Sequence, residues 1–161
     1  MKKIALLFVC TLFLSCGASN KMTRTVATKI NGEWTLETVD YETEKEGTYN
    51  FTIFNSISPK CLENTNWKFI SNNNTGEYVL LNPSCTNIGI QNFIWTIPKE
   101  MYGYDYSIMI KQVNDKMKST TNNKGYRMQV SELSDEMMMW TYEVKVNGQK
   151  FVIKLNFIKN D

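Results

Sequence analysis

Histidine is absent from all 161 residues. That one gap removes Ser-His-Asp and Cys-His nucleophilic centres, imidazole acid–base catalysis and zinc sites built on His. Net charge is missing too: once an N-terminal segment carrying Lys2 and Lys3 is cleaved, 16 basic residues face 16 acidic ones. A nucleic-acid partner is therefore not expected, because neutralising phosphates takes clustered, excess Lys and Arg. Beyond residue 15 no apolar run is long enough to hold the chain in a bilayer by itself. Paired carboxylates are also lacking. Asp40, Asp105, Glu132 and Glu143 are the acids an enzyme would have to use, and no spacing among them singles out a pair. Met137-Met138-Met139 looks like a soft-metal site, but strand alternation turns Met138 away from its neighbours and makes a poor chelate. No catalytic residue, metal or cofactor is expected.

What is present begins at the N-terminus. Lys2 and Lys3 precede an apolar stretch from Ile4 to Leu14, about eleven residues, which suits a signal peptide. A membrane-spanning helix would need about twenty. Phe13-Leu14-Ser15-Cys16-Gly17 resembles the bacterial lipobox. That resemblance implies cleavage after Ser15, acylation of Cys16 and a lipid-anchored protein of the cell envelope, at the outer membrane, periplasmic or surface-exposed. Residues 1–15 are then the signal peptide, 16–29 the lipidated start and a short tether, and 30–161 one domain. The tether is inferred from the polar, β-branched and aperiodic stretch Lys21 to Lys29.

With Cys10 removed and Cys16 acylated, Cys61 and Cys85 are the remaining thiols and are expected to pair in an oxidising compartment. A bridge closing such a loop stabilises by roughly 3 kcal/mol. From Ile30 onward the dominant pattern is period two, the signature of half-buried strands. It runs through Trp34-Leu36-Thr38, Trp67-Phe69, Phe93-Trp95-Ile97, Tyr106-Ile108-Ile110, Tyr126-Met128-Val130, Trp140-Tyr142-Val144-Val146 and Phe151-Ile153-Leu155-Phe157. Asn147-Gly148 suits a type I′ hairpin between the last two runs. Adding Tyr49–Phe54 and Gly76–Leu81 gives about nine strands, with room for a helical turn only between Asn55 and Asn64. The expected class is all-β: a small antiparallel up-and-down barrel, with a β-sandwich as the alternative.

Asn31-Gly32-Glu33-Trp34 resembles the Gly-x-Trp signature of lipocalins, and Asp105-Tyr106 part of their second motif. A lipobox, that strand, a cysteine before Trp67-x-Phe69, a second cysteine and then Trp-bearing strands resemble the lipocalin-like lipoproteins of Bacteroidota. The resemblance implies a lipocalin-like barrel from about Ile30 to Lys159 and a small hydrophobic ligand inside it. Lipocalins place an arginine late in the last strand, over the signature Trp. Since Arg24 and Arg127 are the only arginines, that place falls to a lysine such as Lys159 or is empty.

Inward-facing Trp95, Tyr106, Met128, Trp140 and Tyr142 are the candidate ligand-binding residues, the alternative being that they fill the core. The other functional reading is a protein- or glycan-interaction module with a filled core, acting through the polar loop Asn114–Gly125 or the charged loop Glu42–Gly47.

Overall fold

Alternation of apolar and polar side chains makes strands because successive Cβ atoms point to opposite faces, so one face can be buried while the other is wetted. The computed structural model describes residues 18–43, 49–54, 56–98, 106–146 and 148–161. Residues 1–15, Cys16, Asp105 and Asn147 lie outside the described residues. Eight strands form: β1 (Gly32–Thr43), β2 (Thr65–Ile70), β3 (Thr75–Leu80), β4 (Gly89–Thr96), β5 (Ser107–Val113), β6 (Tyr126–Leu133), β7 (Met137–Val146) and β8 (Gln149–Lys159). Each pairs antiparallel with the next, and β1 closes onto β8, giving a complete up-and-down barrel with no free sheet edge.

The registers follow the apolar sets. On β8 Phe151, Ile153, Leu155 and Phe157 are all buried. On β7 Trp140 is fully buried and Tyr142 and Val144 half-buried, while Glu143 and Lys145 are exposed. A one-residue slip would bury two charges and expose Trp140, so the register is strongly specified. Glu143 is instead ion-paired with Lys150 of β8 at 2.6 Å on the outside. Met138 points in and Met137 out, as alternation requires. Gly76 on β3 sits beneath the Phe93 ring, where an added Cβ would come within 2.4 Å of it.

Three local expectations are corrected. Lys21–Lys29 is not a tether, since it lies within helix α1 (Ala18–Ile30). Its Thr-rich composition disguises Val26 and Ile30, one helical turn apart, which are both buried in the core. Tertiary burial outweighs a weak intrinsic propensity there. The Trp34 indole N–H also donates to the Ile30 carbonyl at 2.8 Å, satisfying a helix-end acceptor. Tyr49–Phe54 is not a ninth strand. It holds a single bridge, Ile53 to Ile57, and Phe54 has φ of 51°, a left-handed conformation that ends strand geometry. Thr38 does not face inward with Trp34 and Leu36. A bulge between Leu36 and Thr38 shifts the phase, so Val39 is buried in its place. The helical turn α2 (Pro59–Leu62) falls inside the one interval left open for it.

Because α1 leads directly into β1, its end of the barrel is where odd strands begin and even strands finish. Ile30 and Val26 plug that end. The opposite end, the mouth, carries the connections β1–β2, β3–β4, β5–β6 and β7–β8. Cys61 and Cys85 are bonded, with Cα atoms 5.9 Å apart. The bridge ties α2 to the β3–β4 loop at the mouth.

Candidate functional site

The barrel interior is occupied by its own aromatic side chains. Trp67 stacks on Tyr78 at 4.3 Å, Trp140 packs on Phe157 at 4.6 Å, and Phe69 lies edge-on to Phe93 at 5.3 Å and to Trp95 at 5.7 Å. Rings this close leave no chamber between them. The candidate ligand residues separate accordingly. Trp95 (1 % exposed) sits near the closed end, its indole N–H bonded to the Thr75 carbonyl. Tyr106 immediately precedes β5 at that same end, its carbonyl accepting from the Val130 amide. Trp140 (0 % exposed) is in the packed middle. Only Met128 and Tyr142 border open space, and they do so together near the mouth.

Two adjoining clefts among those that open there share lining residues. The larger, of about 730 Å³, is walled by strand residues Gln91, Asn92 and Gln112 and by loop residues Asn87, Thr120, Thr121 and Asn122. Phe54, Lys124 and Tyr126 border it as well, and none of its lining residues is a carboxylate. Its polar groups are held in place. Gln112 donates to the Tyr78 hydroxyl at 2.9 Å, Gln91 to the Asn87 carbonyl at 2.7 Å, and Asn92 to Asp115 at 3.1 Å behind the wall. The β5–β6 loop is fixed by its own side chains: Asn114 accepts from the Lys116 and Lys118 amides, and Ser119 from those of Thr121 and Asn123. A preformed wall of amides and hydroxyls next to an aromatic ring can hydrogen-bond a neutral, hydroxyl-rich molecule and stack on one of its faces.

The smaller cleft, of about 270 Å³, lies across Phe54 and Tyr126 from the larger and shares both with it. Ile53, Met128 and Val144 give it apolar walls, and Thr52, Lys124 and Arg127 border it too. Phe54 reaches it because the left-handed turn at that residue drops the ring to 5.1 Å from Tyr126, edge-on. The Tyr126 and Tyr142 hydroxyls are buried without a hydrogen-bond partner, as is the Trp140 indole N–H. Burial pushes the tyrosine hydroxyls of residues 78, 126 and 142 above the ordinary phenol range, with Tyr126 adding to the shift of the other two through its proximity. All three therefore stay protonated donors at neutral pH.

Of the carboxylates considered for catalysis, the three among the described residues are not assembled. Asp40 accepts from Thr38 and Asn156 on the outer surface, Glu143 is in its ion pair and Glu132 is exposed. Among the described residues no group of three or more potential metal ligands is present. At the closed end the Lys159 ammonium stands over the Trp34 ring, 5.2 Å from its centre, the contact that the lipocalin resemblance assigns to a late cation.

The polar cleft was only partly visible beforehand. The Asn114–Gly125 loop stood out by length and polarity and does supply Thr120, Thr121, Asn122 and Lys124 to the wall. Gln91 and Gln112 fall on the inward phase of their strands, in step with Phe93–Trp95 and Ile108–Ile110 and paired in register with the buried Tyr78 and Phe93, whereas Asn92 looks like an ordinary outward position. No protein-family model and no curated protein matches the chain.

Proposed function

We propose that this chain is a lipid-anchored protein of the cell envelope, tethered by acylated Cys16, whose lipocalin-like barrel is a rigid stand for a neutral polar ligand, a glycan, held at the mouth. The observation that carries this reading is the large cleft of amides and hydroxyls, free of carboxylate and set above an interior already filled by aromatic rings. The placement of α1 supports the orientation. Helix α1 begins two residues after Cys16 and runs into the plugged end at Val26 and Ile30, which favours an arrangement with that end toward the bilayer and the mouth distal. The Lys159–Trp34 contact supports kinship with the lipocalin-like lipoproteins.

The test is binding of the unlipidated chain 17–161 to a panel of neutral envelope and host polysaccharides, with palmitate as the competing hydrophobic ligand. A neutral glycan is expected to bind, and Gln91→Ala is expected to weaken it about tenfold, as for losing a hydrogen bond that holds the wall together. Palmitate binding with no glycan bound would overturn the reading. Anchoring is checked separately: metabolic palmitate labelling is expected in the wild type and lost in Cys16→Ala. Label retained by that variant would contradict the lipid anchor.

A further inference from the structure

We propose that the smaller cleft is an acyl subsite, so that the ligand is an acylated sugar: its polar part in the large cleft, its short acyl chain against Ile53, Met128 and Val144, and its carbonyl oxygen at the Tyr126 and Tyr142 hydroxyls. The proposal rests on the glycan reading of the large cleft and extends it. Three observations meet at this place. The two clefts share Phe54 and Tyr126, so one molecule spanning the mouth passes from a polar wall to an apolar one. At about 270 Å³ the smaller space falls below the usual range for a whole ligand, which begins near 300 Å³. It suits a substituent.

The third observation is chemical. Buried hydroxyls that lack a partner are rare and costly, and here two of them stand on neighbouring inward strand faces. Tyr142 borders only the apolar cleft, whereas Tyr126 stands at the junction. Both are donors in their neutral form, and neither is hydrogen-bonded to the wall around it. A ligand that brings an acceptor to an otherwise apolar cleft meets both needs, and a carbonyl at the head of an alkyl chain is the simplest group that does. Lys124, 5.9 Å from the centre of the Tyr126 ring, and Arg127 border the cleft as well.

The experiment compares three probes on chain 17–161 by calorimetry: 6-O-octanoylglucose, methyl β-glucoside and methyl octanoate. The octanoyl sugar is expected to bind at least tenfold tighter than the methyl glucoside, and Val144→Trp, which fills the apolar cleft, is expected to abolish that gain while leaving methyl glucoside binding unchanged. Equal affinity for the two sugars, or failure of the octanoyl sugar to bind at all, overturns the acyl subsite. If methyl octanoate binds as tightly as the octanoyl sugar and loses its affinity in Val144→Trp, the acyl subsite stands and the glycan reading of the larger cleft falls. Tyr142→Phe guards against a folding artefact. It is expected to weaken the octanoyl sugar about fivefold, one hydrogen bond's worth, while raising the thermal midpoint of the free protein by about 2–4 °C, because an unpaired buried hydroxyl is removed. A lower midpoint with unchanged binding would mean the hydroxyl serves the fold alone.

Discussion

The two ends of this barrel are built on opposite terms. At the closed end, polar groups are paired and the packing is completed by a helix: the Trp34 and Trp95 indoles both donate to backbone carbonyls, and Val26 and Ile30 seal the base. At the mouth, the Tyr126 and Tyr142 hydroxyls are buried without partners. Backbone strain is divided in the same way. Among the described non-glycine residues with positive φ, Asn74 belongs to the closed end, whereas Phe54, Asn64, Asn87, Met117, Asn122 and Asn123 are in the mouth loops. Strain and unpaired polar groups persist where the surrounding structure holds them for a purpose, and the fold is stabilised elsewhere. The closed end supplies stability, and the mouth uses some of it to hold two shaped clefts.

Breaking the closed end is expected to have the largest effect. Ile30→Ala removes a fully buried side chain from the plug and should lower stability by about 3 kcal/mol, within the range for large-to-small core changes. Chemical denaturation of the variant measures that loss, and ligand affinity at low denaturant should be unchanged. A weakened affinity would show that the two ends are coupled.

The disulfide sharpens the contrast from the other side. Replacing both Cys61 and Cys85 by Ser is expected to cost roughly 3 kcal/mol by freeing the unfolded chain. Because the bridge ties α2 to the β3–β4 loop, the variant should also lose affinity at the mouth, unlike Ile30→Ala. Calorimetric titration at a temperature where both variants remain folded separates the two outcomes.

A smaller and subtler effect is expected in alkali. The buried tyrosines 78 and 142 have folded pKa values raised above the ordinary 10.0. Their stabilising contribution is therefore complete below about pH 10, and is lost as pH rises from there toward the folded values, because the unfolded chain releases the phenolic protons first. The thermal midpoint should fall across that window, and less steeply in Tyr142→Phe. A flat profile would mean that these hydroxyls are hydrated in solution.

The sequence foretold the two ends unequally, for a physical reason. Strands with one buried face carry a period-two record of it, which is why Phe151 through Phe157 and Trp140 through Val144 were readable and why a closed barrel followed. The phase break at Glu37 was present in the spacing of Leu36 and Val39, but bulges are visible only to a reader who expects them. Helix α1 left little trace because, among its described side chains, Val26 and Ile30 are the buried ones and they sit among threonines. The mouth left least. Its walls combine strand amides, of which Gln91 and Gln112 continue the inward stripe as polar residues, with loop residues whose meeting depends on topology and on left-handed turns and has no period. Cys61–Cys85 was legible by elimination, while the open space beside Met128 and Tyr142 was not, since packed and cavity-lining aromatics obey the same alternation.

The most direct test of where this protein binds is backbone amide chemical-shift mapping on isotope-labelled chain 17–161 titrated with 6-O-octanoylglucose. Binding at the mouth should shift the amides of residues 52–57, 87–92, 112–126 and 142–144, and leave those of Trp95, Tyr106 and the α1 plug in place. Shifts centred on Trp95, Tyr106 and Trp140, with the mouth amides unmoved, would contradict it and return the ligand to the barrel interior.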